Sequence, residues 1–316
     1  MNPLAHFIHH LAPILLILMT VVSCSQKTEG SKIRLGYLQN DLHHLPAFVA
    51  IEKGFFSAEG ISVQVAGVFK AGPELMSAFG SGSLDLGYVG QAPATAAALN
   101  NVADIRFIAQ VNLEGSSIVI DKESNAASIA DLAGMSVAIP GHATMQDFLL
   151  RRAVARNGIG IERLTIIVLK PPEMLQALSQ KQIQAFIAWE PYPAQAELNG
   201  TGKILMQSKQ IWPRHPCCVL ITSEKLCREQ TDTIAKIRAA HDRACTFINN
   251  NPEEAIQIGV SYTGMPRDTV AAALSRIIFT AEIDTRSAEE FVAFLKELRY
   301  IQSHAPEKKL AEILYK

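Results

Sequence analysis

Short apolar runs alternate along this chain with stretches whose apolar positions recur every three or four residues. The runs 33–38, 61–65, 84–89 and 105–109 read as strands with helical segments between them, and this βαβα order predicts a largely parallel sheet with helices on both faces. The unit is used a second time: a strand at 135–139, a helix around 146–156, a strand at 164–168, a helix over 173–181 and a strand at 185–189. Beyond Ser223 the pattern is helical, most clearly where Phe291, Phe294, Leu295 and Leu298 share one face and Glu289, Glu290, Lys296 and Glu297 lie off it. Extended crossovers near 116–121 and 218–222 then join two βα units into an α/β fold of two lobes. Lobe 1 is expected over 32–119 and 222–316, lobe 2 over 120–221, with a ligand cleft at the carboxyl ends of the strands.

Prolines sit where helices should begin, at Leu45-Pro46, Gly72-Pro73, Ala92-Pro93 and Pro171-Pro172. Proline in a first turn forfeits no hydrogen bond, so the helices are expected to start at the cleft with free N–H groups that favour an anionic ligand group. Most βα helices start this way whatever they bind, which leaves the anion reading open.

The N-terminal stretch through Cys24 contains no Asp, Glu, Lys or Arg, and its apolar run from Leu11 to Val22 is too short for a comfortable bilayer span. It suits the core of a signal peptide over 1–23, although the n-region offers His6, His9 and His10 in place of Lys or Arg. Ser23-Cys24 resembles the bacterial lipobox, which implies lipidation at Cys24 and export to the cell envelope; polar residues 24–31 would form a tether. No other stretch is long and apolar enough to span a membrane. With 29 basic and 30 acidic residues scattered along the chain and a net charge of −1, nucleic acid is not expected as a partner. The cysteines at 217, 218, 227 and 245 could form one or two local disulfides or remain buried thiols, adjacent Cys217 and Cys218 being poor partners for each other.

Several residues carry candidate chemistry. Asp41 follows the first strand and reads equally as a partner for a ligand amine or as a helix cap. His43 and His44 could meet an anion or a metal, and a wider metal set of His43, His44, His142, His215, Cys217 and Cys218 would need the lobes to close. Trp212 could stack on a ligand and Arg214 grip an anion, although arginine on a loop is commonly solvated. Thr144 with Asp147 forms a capping pattern, leaving the N–H groups of 141–143 to a ligand. Nucleophile elbow, phosphate-binding loop, dinucleotide fingerprint and zinc-protease motif are all missing, so no enzyme, cofactor or resident metal is expected.

Three segments resemble a known family: 33–38 with the run from His44 to Phe56 and Gly60-Ile61; Gly72 to Phe79 leading into Leu84 to Pro93; and Ala185 to Tyr192. They are similar to solute-binding proteins of the nitrate/sulfonate/taurine class of ABC importers and to the related thiamine-pyrimidine group. The resemblance implies a type II periplasmic-binding-protein fold, monomeric, with two Rossmann-like lobes on a two-strand hinge, handing a small anionic or zwitterionic solute to an ABC permease and ATPase complex. It implies ligand contacts at Gln39, Asp41, His43, His44, Lys70, Gly72, Gln91, Asn112, Gly141, His142, Thr144, Trp189 and Glu190; Arg214 joins them only on the reading of its own loop. Sulfonate binders of this kind tend to carry Ser and Thr where this chain has Asp41, His43, His44 and Lys70. A thiamine-type pyrimidine or other heterocycle is therefore the alternative ligand, followed by a metal complex or a pyrimidine-synthase-like activity.

Overall fold

The computed structural model describes residues 32–302 and 306–314; the expected signal peptide, Cys24 and the tether lie outside them. Strands β1 (Ile33–Leu38), β2 (Val63–Phe69), β3 (Leu86–Gly90) and β4 (Ile105–Glu114) alternate with helices, and the chain then runs directly into β5 (Ser116–Asp121). After β6 (Ser136–Ile139), β7 (Thr165–Val168), β8 (Ala185–Trp189) and β9 (Gly202–Gln207) it returns in β10 (Pro216–Ser223), and a final short strand, β11 (Ile277–Phe279), lies among the C-terminal helices.

Two sheets result, with strand orders β11-β4-β10-β3-β1-β2 and β7-β6-β8-β5-β9. In the first, β1 runs parallel to β2 and β3, while β10 is antiparallel to both β3 and β4. In the second, β6 runs parallel to β7 and β8, while β5 is antiparallel to both β8 and β9. Each sheet thus holds an internal reversed strand, β10 or β5, by which the chain arrives from the other sheet; in the first, edge strand β11 also runs antiparallel to β4. The segments expected as crossovers are β5 and β10; the passage between sheets falls at Gly115 and between Gln207 and Pro216, a few residues before the expected lobe limits.

Burial explains which runs were legible. In β3 the residues Leu86 to Val89 are buried, as is all of β8, whereas Val65 and Val68 on edge strand β2 are exposed. Three-residue β11 offers no alternation and was not foreseen. Prolines occupy the first turns of helices Leu45–Glu52, Gly72–Gly80 and Pro171–Ser179 as expected. Of the two readings of the cysteines, the structure has the free thiols: Cys217, Cys218, Cys227 and Cys245 are all buried and unbridged.

Helix Thr231–Asn250 packs on the first sheet through a buried histidine. His241 Nε2 donates to the Gln110 carbonyl at 2.7 Å, and its Nδ1 accepts from the Tyr88 hydroxyl at 3.1 Å. Burial pushes the pKa of His241 down to about 4, because a cation there would be stripped of water. Unfolding restores proton affinity, so the unfolded state binds more protons over this range. The contribution of His241 to stability should therefore fall by about 3 kcal/mol as pH drops from about 6.5 to about 4, read as the difference between native chain and variant. Urea unfolding of the native chain and of a His241→Gln variant checks this, and the variant should lack that slope.

Candidate functional site

Between the sheets lies a cavity of ≈ 20 Å³, room for about one water molecule. Its floor comes from the first sheet and the loops at its strand ends: Leu38, Asp41, His43, Gly72, Gly90, Cys217 and Cys218. Its cover comes from the second: Thr144, Met145 and Gln146 at the start of helix Met145–Arg156, and Trp189 at the end of β8. Three helices begin here. Gly72 opens helix Gly72–Gly80, Gly90 caps helix Gln91–Leu99, and Thr144 caps the third by accepting from Asp147 N at 3.2 Å. A larger cavity of ≈ 670 Å³ lies between helix Thr231–Asn250 and the C-terminal segment, and none of these three N-termini reaches it.

The floor is built on a local turn. Asp41 caps the short 3-10 helix Leu42–His44, its Oδ1 accepting from His43 N at 2.9 Å, so the cap reading of Asp41 holds, with the side chain buried and not solvated. The turn aims His43 at the crossing point, where its Nε2 donates to the Gly115 carbonyl at 2.8 Å. That leaves Nδ1 facing Cys217 Sγ at 3.3 Å and Cys218 Sγ at 3.7 Å, with the two sulfurs 3.9 Å apart. His44 is oriented differently: its Nδ1 accepts from Leu38 N at 3.1 Å.

Consecutive strand residues ordinarily face opposite sides of a sheet. Here the pairing of β10 with β4 shifts register on both sides of Cys218, and this bulge turns both thiols toward His43. Two buried amides replace the disturbed ladder bonds. Asn112 Oδ1 accepts from Cys218 N at 3.2 Å, and Gln110 Nε2 donates to the Cys218 carbonyl at 2.8 Å.

Burial and proximity shift every ionisable group on this floor. Burial alone would lower the His43 pKa, but Cys217 and Asp41 outweigh it and raise it to about 9. The Cys217 thiol is held well below its ordinary range, chiefly by the hydrogen bond from Cys218 and, against burial, by His43. Burial pushes Cys218 up, and burial with Cys217 nearby lifts Asp41 to about 7.

The other expected contact residues are dispersed. Gln39 and Lys70 are exposed at a mouth they share with Lys170 and Tyr192, and Lys170 Nζ bridges to Glu74 Oε1 at 3.1 Å. Gln91 is buried with neither amide atom paired, and Trp189 Nε1 is likewise buried without a partner. The Gly141 carbonyl accepts from Thr144 Oγ1 at 2.7 Å, while His142 is exposed and 3.4 Å from the Tyr300 hydroxyl. Glu190 is fully buried: Oε1 accepts from Arg276 Nη1 at 2.9 Å and Oε2 from Ala194 N at 3.1 Å. Arg214 is exposed, and only its backbone N–H is engaged, donating to Glu114 Oε1 at 2.7 Å. Trp212 packs on Phe148 beneath the Arg152 guanidinium. The wider metal set does not assemble as expected: His43, Cys217 and Cys218 meet within the first lobe without help from the second, while His142 stands at the rim. Gly115, Met145 and Gln146 were missed. Only Gly115 carried a signal, as a glycine between two strand-like runs.

Two lobes, each with a sheet entered by a reversed strand from the other, and a cleft fed by helix N-termini from both, define a periplasmic-binding-protein fold. The chain belongs to the NMT1-like family, whose model matches residues 26–259. Among relatives, a protein of Brucella abortus named as a binding protein is 26% identical over 232 residues, 73% of this chain and 71% of that one. A Bacillus subtilis protein named for binding aliphatic sulfonates is 26% identical over 235 residues, 72% of this chain and 68% of that one. Of solved structures, the alkanesulfonate-binding protein of Xanthomonas axonopodis pv. citri superimposes with a TM-score of 0.78 at 18% identity, covering 90% of this chain and 98% of that one.

Arg276 precedes β11 in the first lobe and Glu190 follows β8 in the second, so their pair ties the lobes through a desolvated contact. Burial pushes the Glu190 pKa up, and Arg276 opposes that shift. Arg276→Met leaves a buried charge unpaired and should cost about 3 kcal/mol at pH 7. A carboxyl whose folded pKa is raised further favours protonation on folding, so the deficit should shrink as pH is lowered toward 5. Urea unfolding at both pH values measures it.

Proposed function

We propose that this chain is an extracytoplasmic solute-binding protein of an ABC importer, anchored by lipid at Cys24. It captures a small anionic or zwitterionic solute of the sulfonate, taurine or nitrate class between its lobes as a monomer, and delivers it to a membrane permease. The observation that carries this reading is the convergence of three helix N-termini from both lobes on one cavity beside the unpaired Trp189 Nε1–H. Dipole ends and free N–H groups favour an anionic head group, and a buried donor without a partner is costly until a ligand supplies an acceptor. The name of the Bacillus relative supports the sulfonate class. At ≈ 20 Å³ the cavity holds no more than about one water molecule, so a solute enters only when the lobes part. Among the described residues no helix is long and apolar enough to cross a membrane, in keeping with attachment by lipid alone.

Thermal unfolding with taurine, alkanesulfonates, nitrate and thiamine-type pyrimidines tests the reading. A true ligand at 100 times its Kd adds about 2.7 kcal/mol and moves the midpoint by several degrees. A shift with a sulfonate, taurine or nitrate is expected; shifts confined to pyrimidines, or none at all, overturn the assignment. Trp189→Phe, which deletes the unpaired donor and keeps the aromatic bulk, should weaken the ligand about tenfold by calorimetry.

A further inference from the structure

We propose that His43, Cys217 and Cys218 form a binding site for a thiophilic metal ion, Zn(II) or Cu(I), in the cleft floor. The inference goes beyond the solute reading and stands without it.

Geometry carries the argument. A tetrahedral zinc with sulfur at about 2.3 Å and nitrogen at about 2.0 Å sets its ligand atoms about 3.8 Å apart for S···S and about 3.5 Å for S···N. Here the sulfurs are 3.9 Å apart, and His43 Nδ1 lies 3.3 and 3.7 Å from them. All three residues are buried, and the atoms converge on one point with no movement of the second lobe.

The surroundings are those of a ligand set. A metal-bound histidine characteristically donates its other ring N–H to a carbonyl or carboxylate, which fixes the tautomer and turns the free lone pair to the ion. The Gly115 carbonyl does this for His43. Gln110 and Asn112 hold the bulge that faces both thiols the same way, and Asp41 sets a carboxylate oxygen 3.8 Å from His43 Nδ1. As the two metal–sulfur bonds and the metal–nitrogen bond form, two protons leave to solvent: that of Cys218 and the one shared between Cys217 and His43. Two thiolates cancel the charge of Zn(II), which suits burial, and three protein donors leave one tetrahedral position toward the cavity. With Cu(I) the same three donors complete a trigonal site.

The protein, reduced and kept free of oxygen, is titrated with Zn(II) and separately with Cu(I) against a chromophoric chelator. One equivalent of at least one ion should bind with Kd below about 1 μM. Cys217→Ser and Cys218→Ser should each weaken it about 100-fold, while Cys245→Ser leaves it unchanged. Circular dichroism confirms that the variants are folded; should either fail to fold, the native protein still decides the matter, because bound metal should protect Cys217 and Cys218 from alkylation as read by mass spectrometry. Binding of neither ion overturns the proposal, and so does metal binding that survives both serine variants or leaves both thiols open to alkylation. No solute is present in the titration, so its failure leaves the solute reading intact, and failure of the solute screen leaves this one intact.

Discussion

One carbonyl oxygen joins the parts of this molecule. Gly115 is the residue at which the chain leaves the first sheet for the second, and its oxygen accepts both His43 Nε2–H at 2.8 Å and the backbone N–H of Glu190 at 2.9 Å. The first bond orients the floor of the cleft; the second fixes the end of β8, from which Trp189 reaches the cavity. Glycine is required on two counts. Its φ of +82° is left-handed, and a Cβ would stand 2.3 Å from His43 Nε2. The hinge and the site are therefore one construction.

Around that point the polar interior is closely balanced. Gln110, Asn112 and Glu190 are buried; Asn112 and Glu190 spend their side chains on backbone or on Arg276, while Gln110 donates through Nε2 and leaves Oε1 without a partner. Such networks stabilise only while every member is satisfied, since a lost partner in a low-dielectric interior strands a group that water no longer reaches. The contacts nearer the surface differ in kind. Glu74 with Lys170 is an exposed pair whose attraction water and salt largely screen. Phe148 instead meets Phe291 and Phe294 of helix Thr285–Glu297, so apolar packing joins the C-terminal segment to the second lobe.

Local periodicity made most of the fold legible. Buried parallel strands such as β8 are unbroken apolar runs, the prolines mark first turns, and Thr144 with Asp147 is a cap in the structure as in the chain. The site was legible only in part. Asp41, His43, Thr144 and Trp189 lie at strand ends, where topology alone places a cleft. A bulge depends on pairing between strands more than a hundred residues apart, so nothing local reveals that Cys217 and Cys218 face one way. The partner of Glu190 is likewise remote in sequence, at Arg276. Trp212 and Arg214 looked like ligand groups because tryptophan and arginine so often are; packing on Phe148 claims the first, and solvent surrounds the second.

The split between floor and cover sets an order of events. The ionisable atoms that line the cavity, those of Asp41, His43, Cys217 and Cys218, belong to the first lobe, whereas the second contributes Thr144, Met145, Gln146 and Trp189. On the solute-binding reading proposed above, a solute meets the charged side when the lobes part, while still hydrated, and is sorted by its chemistry. Only afterwards, as the other side descends and water leaves, is it sorted by size. Such a device selects twice in sequence, and its two filters can diverge separately, because the residues that set one are not the residues that set the other.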